Sequence, residues 1–204
     1  TISSPKLVTD LAALPDTSVA ELSLGLDLVN HGNKEKNGNL IITVSPENFS
    51  GASFRVSRPV KIGAGKSVKV DLNSSNTDKF KISKPALWWP NGYGEPSLYR
   101  IKLQFSAGGK ISDDTTFLFG IRKVATKAVN VNGSWRRDFY VNGQRIHITG
   151  GAWVPDMMLN RDSVRYDYEF RLCRNSNINL VRIWGGGVTP GDEFWDAADR
   201  YGML

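Results

Sequence analysis

Ala20-Glu21-Leu22-Ser23-Leu24-Gly25-Leu26-Asp27-Leu28 alternates apolar and polar residues with a period of two. Successive side chains of a strand point to opposite faces, so this run offers one face to a core and the other to water. The same reading extends outward. Leu40-Ile41-Ile42-Thr43-Val44 is β-branched, and Ser67-Val68-Lys69-Val70-Asp71-Leu72 and Tyr99-Arg100-Ile101-Lys102-Leu103-Gln104-Phe105 alternate again. Turn clusters such as His31-Gly32-Asn33 and Ala107-Gly108-Gly109 separate them. Short strands with regular turn signals predict a β-sandwich, and the size suits an immunoglobulin-like one. The first domain is therefore set at residues 1–124.

Residues 125–204 read differently. Asp138-Phe139-Tyr140-Val141 and Gln144-Arg145-Ile146-His147-Ile148 flank Asn142-Gly143. Both central residues of a type I′ turn need positive φ, so Asn-Gly marks a hairpin. After Thr149 the period lengthens. The span 161–175 predicts a helix, capped by Asp162, with Val164, Tyr168 and Leu172 recurring at i, i+4 and i+8. Ile178-Asn179-Leu180-Val181-Arg182-Ile183-Trp184 predicts a buried strand ended by Gly185-Gly186-Gly187. A second helix is expected over 190–201, with Pro190 in its first turn, Phe194, Trp195 and Ala198 on its apolar face and Gly202 ending it. Strand and helix in alternation is the rhythm of a parallel sheet. A (β/α)8 TIM barrel needs eight such units and about 250 residues. Only its first βαβα units fit here, so the barrel is expected to be incomplete within this chain.

Composition narrows the function classes. The chain has 204 residues, 40% hydrophobic and 23% charged, which is ordinary for a globular protein. Net charge is +6, but Lys and Arg are scattered, the densest local group being Arg136 and Arg137. Nucleic-acid binding needs clustered charge and is not expected. No apolar run is long enough to span a bilayer, and the opening Thr1-Ile2-Ser3-Ser4-Pro5-Lys6 has no leader pattern. A membrane partner is not expected. The compartment stays open among secreted, periplasmic and lysosome- or vacuole-like locations. Cys173 is the single cysteine, so no internal disulfide forms, and His31 and His147 lack metal-ligand spacing. Neither metal nor cofactor is expected.

The motifs in order carry a resemblance. Leu87-Trp88-Trp89-Pro90-Asn91-Gly92-Tyr93-Gly94 and Phe119-Gly120-Ile121-Arg122-Lys123 come first. Phe139-Tyr140-Val141-Asn142-Gly143, Gly150-Gly151-Ala152-Trp153-Val154-Pro155-Asp156 and Asn179-Leu180-Val181-Arg182-Ile183-Trp184-Gly185-Gly186-Gly187 follow. Together they resemble β-mannosidase-like members of glycoside hydrolase family 2. The resemblance runs from Leu87 to Leu204 and implies a retaining hydrolase acting on a β-linked carbohydrate substrate. It also implies that the two catalytic glutamates lie on later barrel strands, supplied in cis or by a companion chain. This chain is accordingly expected to be an internal piece, inactive alone.

Four residues stand where loops after barrel strands build the active site of such a fold. Trp153 could stack on a sugar ring or pack at the rim. Asp156 could accept from a sugar hydroxyl or cap its loop. Arg182 is implied to hold the nucleophile glutamate, with a structural ion pair as the plainer alternative. Trp184 could wall the sugar site or fill a core. Trp184 favours a β-mannoside, whereas Ala152 departs from the Asn of the mannosidase pattern. Gly150-Gly151 and Asp156-Met157-Met158-Leu159 look as much like the exo-β-D-glucosaminidase and plant endo-β-mannosidase branches. A β-galactosidase-type hydrolase and a non-catalytic structural or carbohydrate-binding module are the remaining alternatives. Gly185-Gly186-Gly187 lacks the spacing of a phosphate loop. Trp88 and Trp89 are expected in a core or interface, and Glu169, Asp192 and Glu193 on solvated helix surface.

Overall fold

The computed structural model describes residues 1–156, 158 and 160–204, so Met157 and Leu159 of the Asp156-Met157-Met158-Leu159 motif lie outside the described residues. The chain divides into two compact units, Thr1–Pro85 with Tyr99–Phe119, and Ala86–Leu98 with Gly120–Leu204.

The strands of the first unit are β1 (Ile2–Asp10), β2 (Val19–Val29), β3 (Lys36–Pro46), β4 (Phe54–Ile62), β5 (Ser67–Asn73), β6 (Lys81–Ser83), β7 (Leu98–Ala107) and β8 (Lys110–Gly120). They form a sheet β1-β2-β5, with β6 also on β2, and a sheet β4-β3-β7-β8. The alternation in β2 becomes burial: Leu22, Leu24, Leu26 and Leu28 are at most 2% exposed. Leu40, Ile42 and Val44 of β3 and Ile101, Leu103 and Phe105 of β7 supply the buried face of the other sheet. Each fully buried leucine contributes roughly 1.5–3 kcal/mol, which is what holds two sheets together as a sandwich. β7 and β8 turn through Gly108-Gly109, both at positive φ (58° and 77°). At one end Asn30 is buried, its Nδ2 donating to the carbonyls of Lys34, Ile62 and Gly63 while its Oδ1 accepts from Gly32 N. One buried side chain thereby bonds three carbonyls and a backbone N–H.

The second unit begins with a three-stranded sheet, β11-β10-β9, made of β9 (Val124–Val131), β10 (Ser134–Val141) and β11 (Gln144–Ile146). The Asn142-Gly143 turn forms as expected, at φ 50° and 82°. A second Asn-Gly turn, Asn132-Gly133 at φ 51° and 83°, joins β9 to β10. Arg136 and Arg145 both pair with the buried Asp138, at 3.1 and 3.0 Å.

Next come β12 (Gly150–Trp153), α1 (Ser163–Asn175), β13 (Leu180–Ile183) and α2 (Asp192–Tyr201). β12 and β13 pair in parallel, Ala152 opposite Arg182 and Trp153 opposite Ile183. Asp162 caps α1, its Oδ1 accepting from Arg165 N at 2.7 Å. Gly202 ends α2 in the left-handed region at φ 72°. Two expectations about helix faces are corrected. Val164, Tyr168 and Leu172 are 77%, 49% and 47% exposed, and Trp195 is 47% exposed. α1 instead buries Tyr166 and Phe170, and α2 buries Phe194, Ala197 and Ala198. Both stripes of α1 have helical spacing. The aromatic pair removes more apolar surface from water, and it meets Phe194 edge-on at centroid distances of 5.4 and 4.8 Å.

Within this second unit the segment Ala86–Leu98 bonds to the helix ends. Trp88, 0% exposed, donates Nε1–H to Asp199 O at 2.8 Å. Asn91 donates its Nδ2 to Arg174 O and Ile178 O, both at 2.9 Å, and its backbone N to Gly202 O at 2.8 Å. The last carbonyls of a helix have no partner within it. One loop thus occupies carbonyls at the C-terminal ends of both helices. Trp88 is therefore a core residue, as expected, and no sugar platform.

Candidate active site

The parallel pair β12–β13 sets which side chains meet the helices. Val181 and Ile183 pack, half-buried, against the cluster of Tyr166, Phe170, Phe194, Ala197, Ala198 and Met203. Alternation then turns Arg182 to the opposite face, opposite Ala152. This corrects the buried strand expected from the sequence. Only one face of β13 is covered, and Arg182 is exposed. The Arg182 side chain makes no hydrogen bond or ion pair among the described residues.

Trp184 follows β13 and is 49% exposed. Its backbone N donates to Trp153 O at 3.0 Å, and its own carbonyl accepts from Gly187 N at 3.0 Å. A Cβ on Gly186 would come within 2.7 Å of the Trp184 ring. The glycine run is thus a tight βα turn folded under an indole. Asp156 is half-buried and accepts, weakly, from Asn160 N at 3.4 Å. Arg182 and Trp184 share one strand and its loop. Among the described residues no hydrogen bond or ion pair joins Asp156 to either.

Trp153 sits elsewhere. Its indole lies among the helices, 4.7 Å from the Phe194 ring and 6.2 Å from the Tyr166 ring. Its Nε1 donates to Glu169 Oε2 at 2.9 Å. The odd face of β12 belongs to the helix layer, which is where a large aromatic at its last position goes. Of the two expectations for Trp153, sugar stacking and packing, its contacts here are packing contacts.

Glu169 was expected to be solvated surface. Instead both its oxygens are engaged, the second by Arg165 Nε at 2.6 Å. Glu169 in turn holds the Arg165 guanidinium above the ordinary arginine range. An i, i+4 Arg–Glu spacing was legible, but an indole partner from another element was not. Asn179 was also missed. It is 3% exposed, and its side chain accepts from Thr149 N and donates to His147 O, both at 2.9 Å. Burial, with Glu169 adding to it, pushes the Cys173 thiol up, which suits an inert packing residue. Among the described residues no cluster of three or more His, Cys, Asp or Glu could hold a metal, and no helix is long and apolar enough to cross a membrane.

Comparisons with known proteins give this geometry its context. The chain is 34% identical over 179 residues to an exo-β-D-glucosaminidase of Streptomyces avermitilis, a match covering 87% of this chain and 19% of that protein. It is 38% identical over 123 residues to a mannosylglycoprotein endo-β-mannosidase of Lilium longiflorum, covering 59% of this chain and 13% of that protein. Among solved structures, the exo-chitosanase of Amycolatopsis orientalis superimposes with a TM-score of 0.79 at 26% identity, covering all of this chain and 22% of that one. The chain thus spans about a fifth or less of the length of the relatives it matches. Residues 1–122, the sandwich and its exit segment, fit the profile of glycosyl hydrolases family 2. This chain belongs to that family, among its β-mannosidase-like members.

Proposed function

We propose that β12, α1, β13 and α2 open a (β/α)8 barrel, and that this chain contributes part of the sugar site of a retaining glycoside hydrolase acting on β-mannosides. The observation that carries the reading is Arg182. It is an exposed guanidinium with no partner among the described residues, on the face of a parallel strand that the helices leave open. A guanidinium there can grip a carboxylate through two parallel hydrogen bonds and keep it ionised. In retaining hydrolysis two carboxyl groups stand about 5–5.5 Å apart. One attacks the anomeric carbon, and the other protonates the leaving oxygen. Arg182 would orient the attacking one. Trp184 would wall the sugar subsite with its exposed indole, and Asp156 would accept from a sugar hydroxyl. The catalytic pair itself would come from barrel segments beyond these residues, and the 204-residue chain alone would be inactive.

An exo-β-D-glucosaminidase is the second reading, favoured by the 34% identity to the Streptomyces avermitilis enzyme over 87% of this chain. Hydrolysis of p-nitrophenyl β-mannoside and p-nitrophenyl β-glucosaminide by the protein that carries this chain separates the two. NMR of the first-formed product anomer reports retention. A preference for the glucosaminide overturns the mannoside assignment. Turnover of neither sugar, nor of β-galactoside, sinks the hydrolase reading.

A further inference from the structure

We infer that Glu169 is a positioning residue for the candidate site, acting through Trp153 on Trp184. The inference rests on the glycosidase reading for its consequence, but not for its geometry. Three contacts run in series. Arg165 Nε holds one carboxylate oxygen of Glu169 at 2.6 Å, and the other oxygen accepts from Trp153 Nε1 at 2.9 Å. The Trp153 carbonyl then accepts the backbone N–H of Trp184 at 3.0 Å. The carboxylate is thus fixed from both sides and cannot follow a rotating indole. The Trp153 ring is wedged against Phe194 and Tyr166, so its orientation and the backbone beneath it move together.

Without the carboxylate, the part-buried indole N–H has no acceptor. A buried donor without a partner is costly, so the ring turns outward to reach water. That motion drags the last residue of β12, loosens the bond to Trp184 N, and frees the loop that carries Trp184. Both Glu169 oxygens are engaged, one by Arg165 and one by Trp153. It acts by holding, not by proton transfer.

The test uses hydrogen exchange in the 204-residue chain, followed by 15N NMR at the Trp153 indole and the Trp184 amide. Glu169→Ala is expected to speed both by tenfold or more while the amides of β2 keep their rates. Glu169→Gln keeps a carbonyl acceptor and is expected to hold both within about threefold of wild type. Fast exchange at the indole with an unchanged Trp184 amide overturns the coupling. So does an indole that already exchanges freely in the wild type. In the enzyme carrying this chain, Glu169→Ala is expected to lower kcat/KM about tenfold, and Glu169→Gln to restore most of it with the wild-type pH profile. Loss of one limb of that profile in Glu169→Gln would make Glu169 a titrating group of the chemistry and overturn the positioning role. If the enzyme shows no glycosidase activity, the glycosidase reading fails, and the exchange rates still decide the coupling.

Discussion

Asn179 and Thr149 exchange two hydrogen bonds, Thr149 N to Asn179 Oδ1 and Asn179 N to Thr149 O, both 2.9 Å long. The pair lies at the entry to β12 and β13, and Asn179 O accepts from Leu204 N as well, at 2.9 Å. The buried side-chain amide thus pins the start of β13 to Thr149 and His147 ahead of β12, while the backbone carbonyl of Asn179 holds Leu204. Asn179→Leu keeps the volume and removes the pairing. It leaves Thr149 N and His147 O without their side-chain partner, each worth about 1–3 kcal/mol when buried. Urea denaturation of the 204-residue chain is expected to show a loss of about 3 kcal/mol. A loss below about 1 kcal/mol would mean that water replaces the amide and the pin is dispensable.

Trp88 is the second load point. Its ring is fully buried, its Nε1 reaches Asp199 O, and the Arg122 guanidinium lies 4.1 Å from the ring centroid while its Nη1 pairs with Asp199 Oδ1 at 2.8 Å. Trp88→Ala combines lost burial with a cavity, at a cost of about 3–5 kcal/mol. Gly120→Ala attacks the same site from the other side, because its Cβ would stand 2.7 Å from Trp88 Cβ. Overpacking costs about 1–3 kcal/mol. Both variants are expected to unfold the second unit at lower urea than the first. A single transition shifted as a whole would contradict a local role.

These two positions show what the sequence could and could not deliver. Period-two runs carried β2, β5 and β7, a β-branched run carried β3, and the period change carried α1, β13 and α2, because burial follows the local geometry. Asp162 and Gly202 were legible for the same reason: caps are local chemistry. The choice between two apolar stripes on α1 was not, since Val164-Tyr168-Leu172 and Tyr166-Phe170 have equal spacing and only the facing element decides. Nor was the loop Ala86–Leu98, whose partners lie up to 111 residues away. At the candidate site, Arg182 lies on the face of β13 that the helices leave open, and Trp184 follows the strand's end. Trp153 took the other face, one residue out of phase with Arg182's partner Ala152.

Tyr166 offers a test with a pH axis. Its ring is 1% exposed, and its hydroxyl has no hydrogen-bond partner among the described residues. Burial pushes its ionisation above the ordinary tyrosine value of about 10. The native state therefore keeps this proton to higher pH than the unfolded chain does. Above pH about 10 the unfolded state binds fewer protons, so stability falls as pH rises until the raised native value is passed. Tyr166→Phe removes both the orphan hydroxyl and the titration. It is expected to gain about 1 kcal/mol at pH 7 and to flatten the alkaline limb of the stability curve above pH about 10. Destabilisation at pH 7 would reveal a partner for the hydroxyl.

Arg182 separates function from stability. Its side chain is exposed and unpaired among the described residues, so nothing in this fold leans on it. Arg182→Ala and Arg182→Lys are both expected to leave the urea midpoint of the 204-residue chain within about 0.5 kcal/mol of wild type, as for an ordinary surface substitution. On the proposed reading, the same changes in the whole protein would act on the attacking carboxylate. Loss of a bidentate guanidinium is expected to lower kcat/KM by about a hundredfold or more, and the lysine does not rescue it, because an ammonium is a point charge without the planar fork. The fall belongs in kcat rather than KM, since the carboxylate's orientation matters most as the bond to the anomeric carbon forms. A lysine variant with wild-type kcat would show that charge alone suffices. An alanine variant that unfolds the chain would return Arg182 to a structural ion pair.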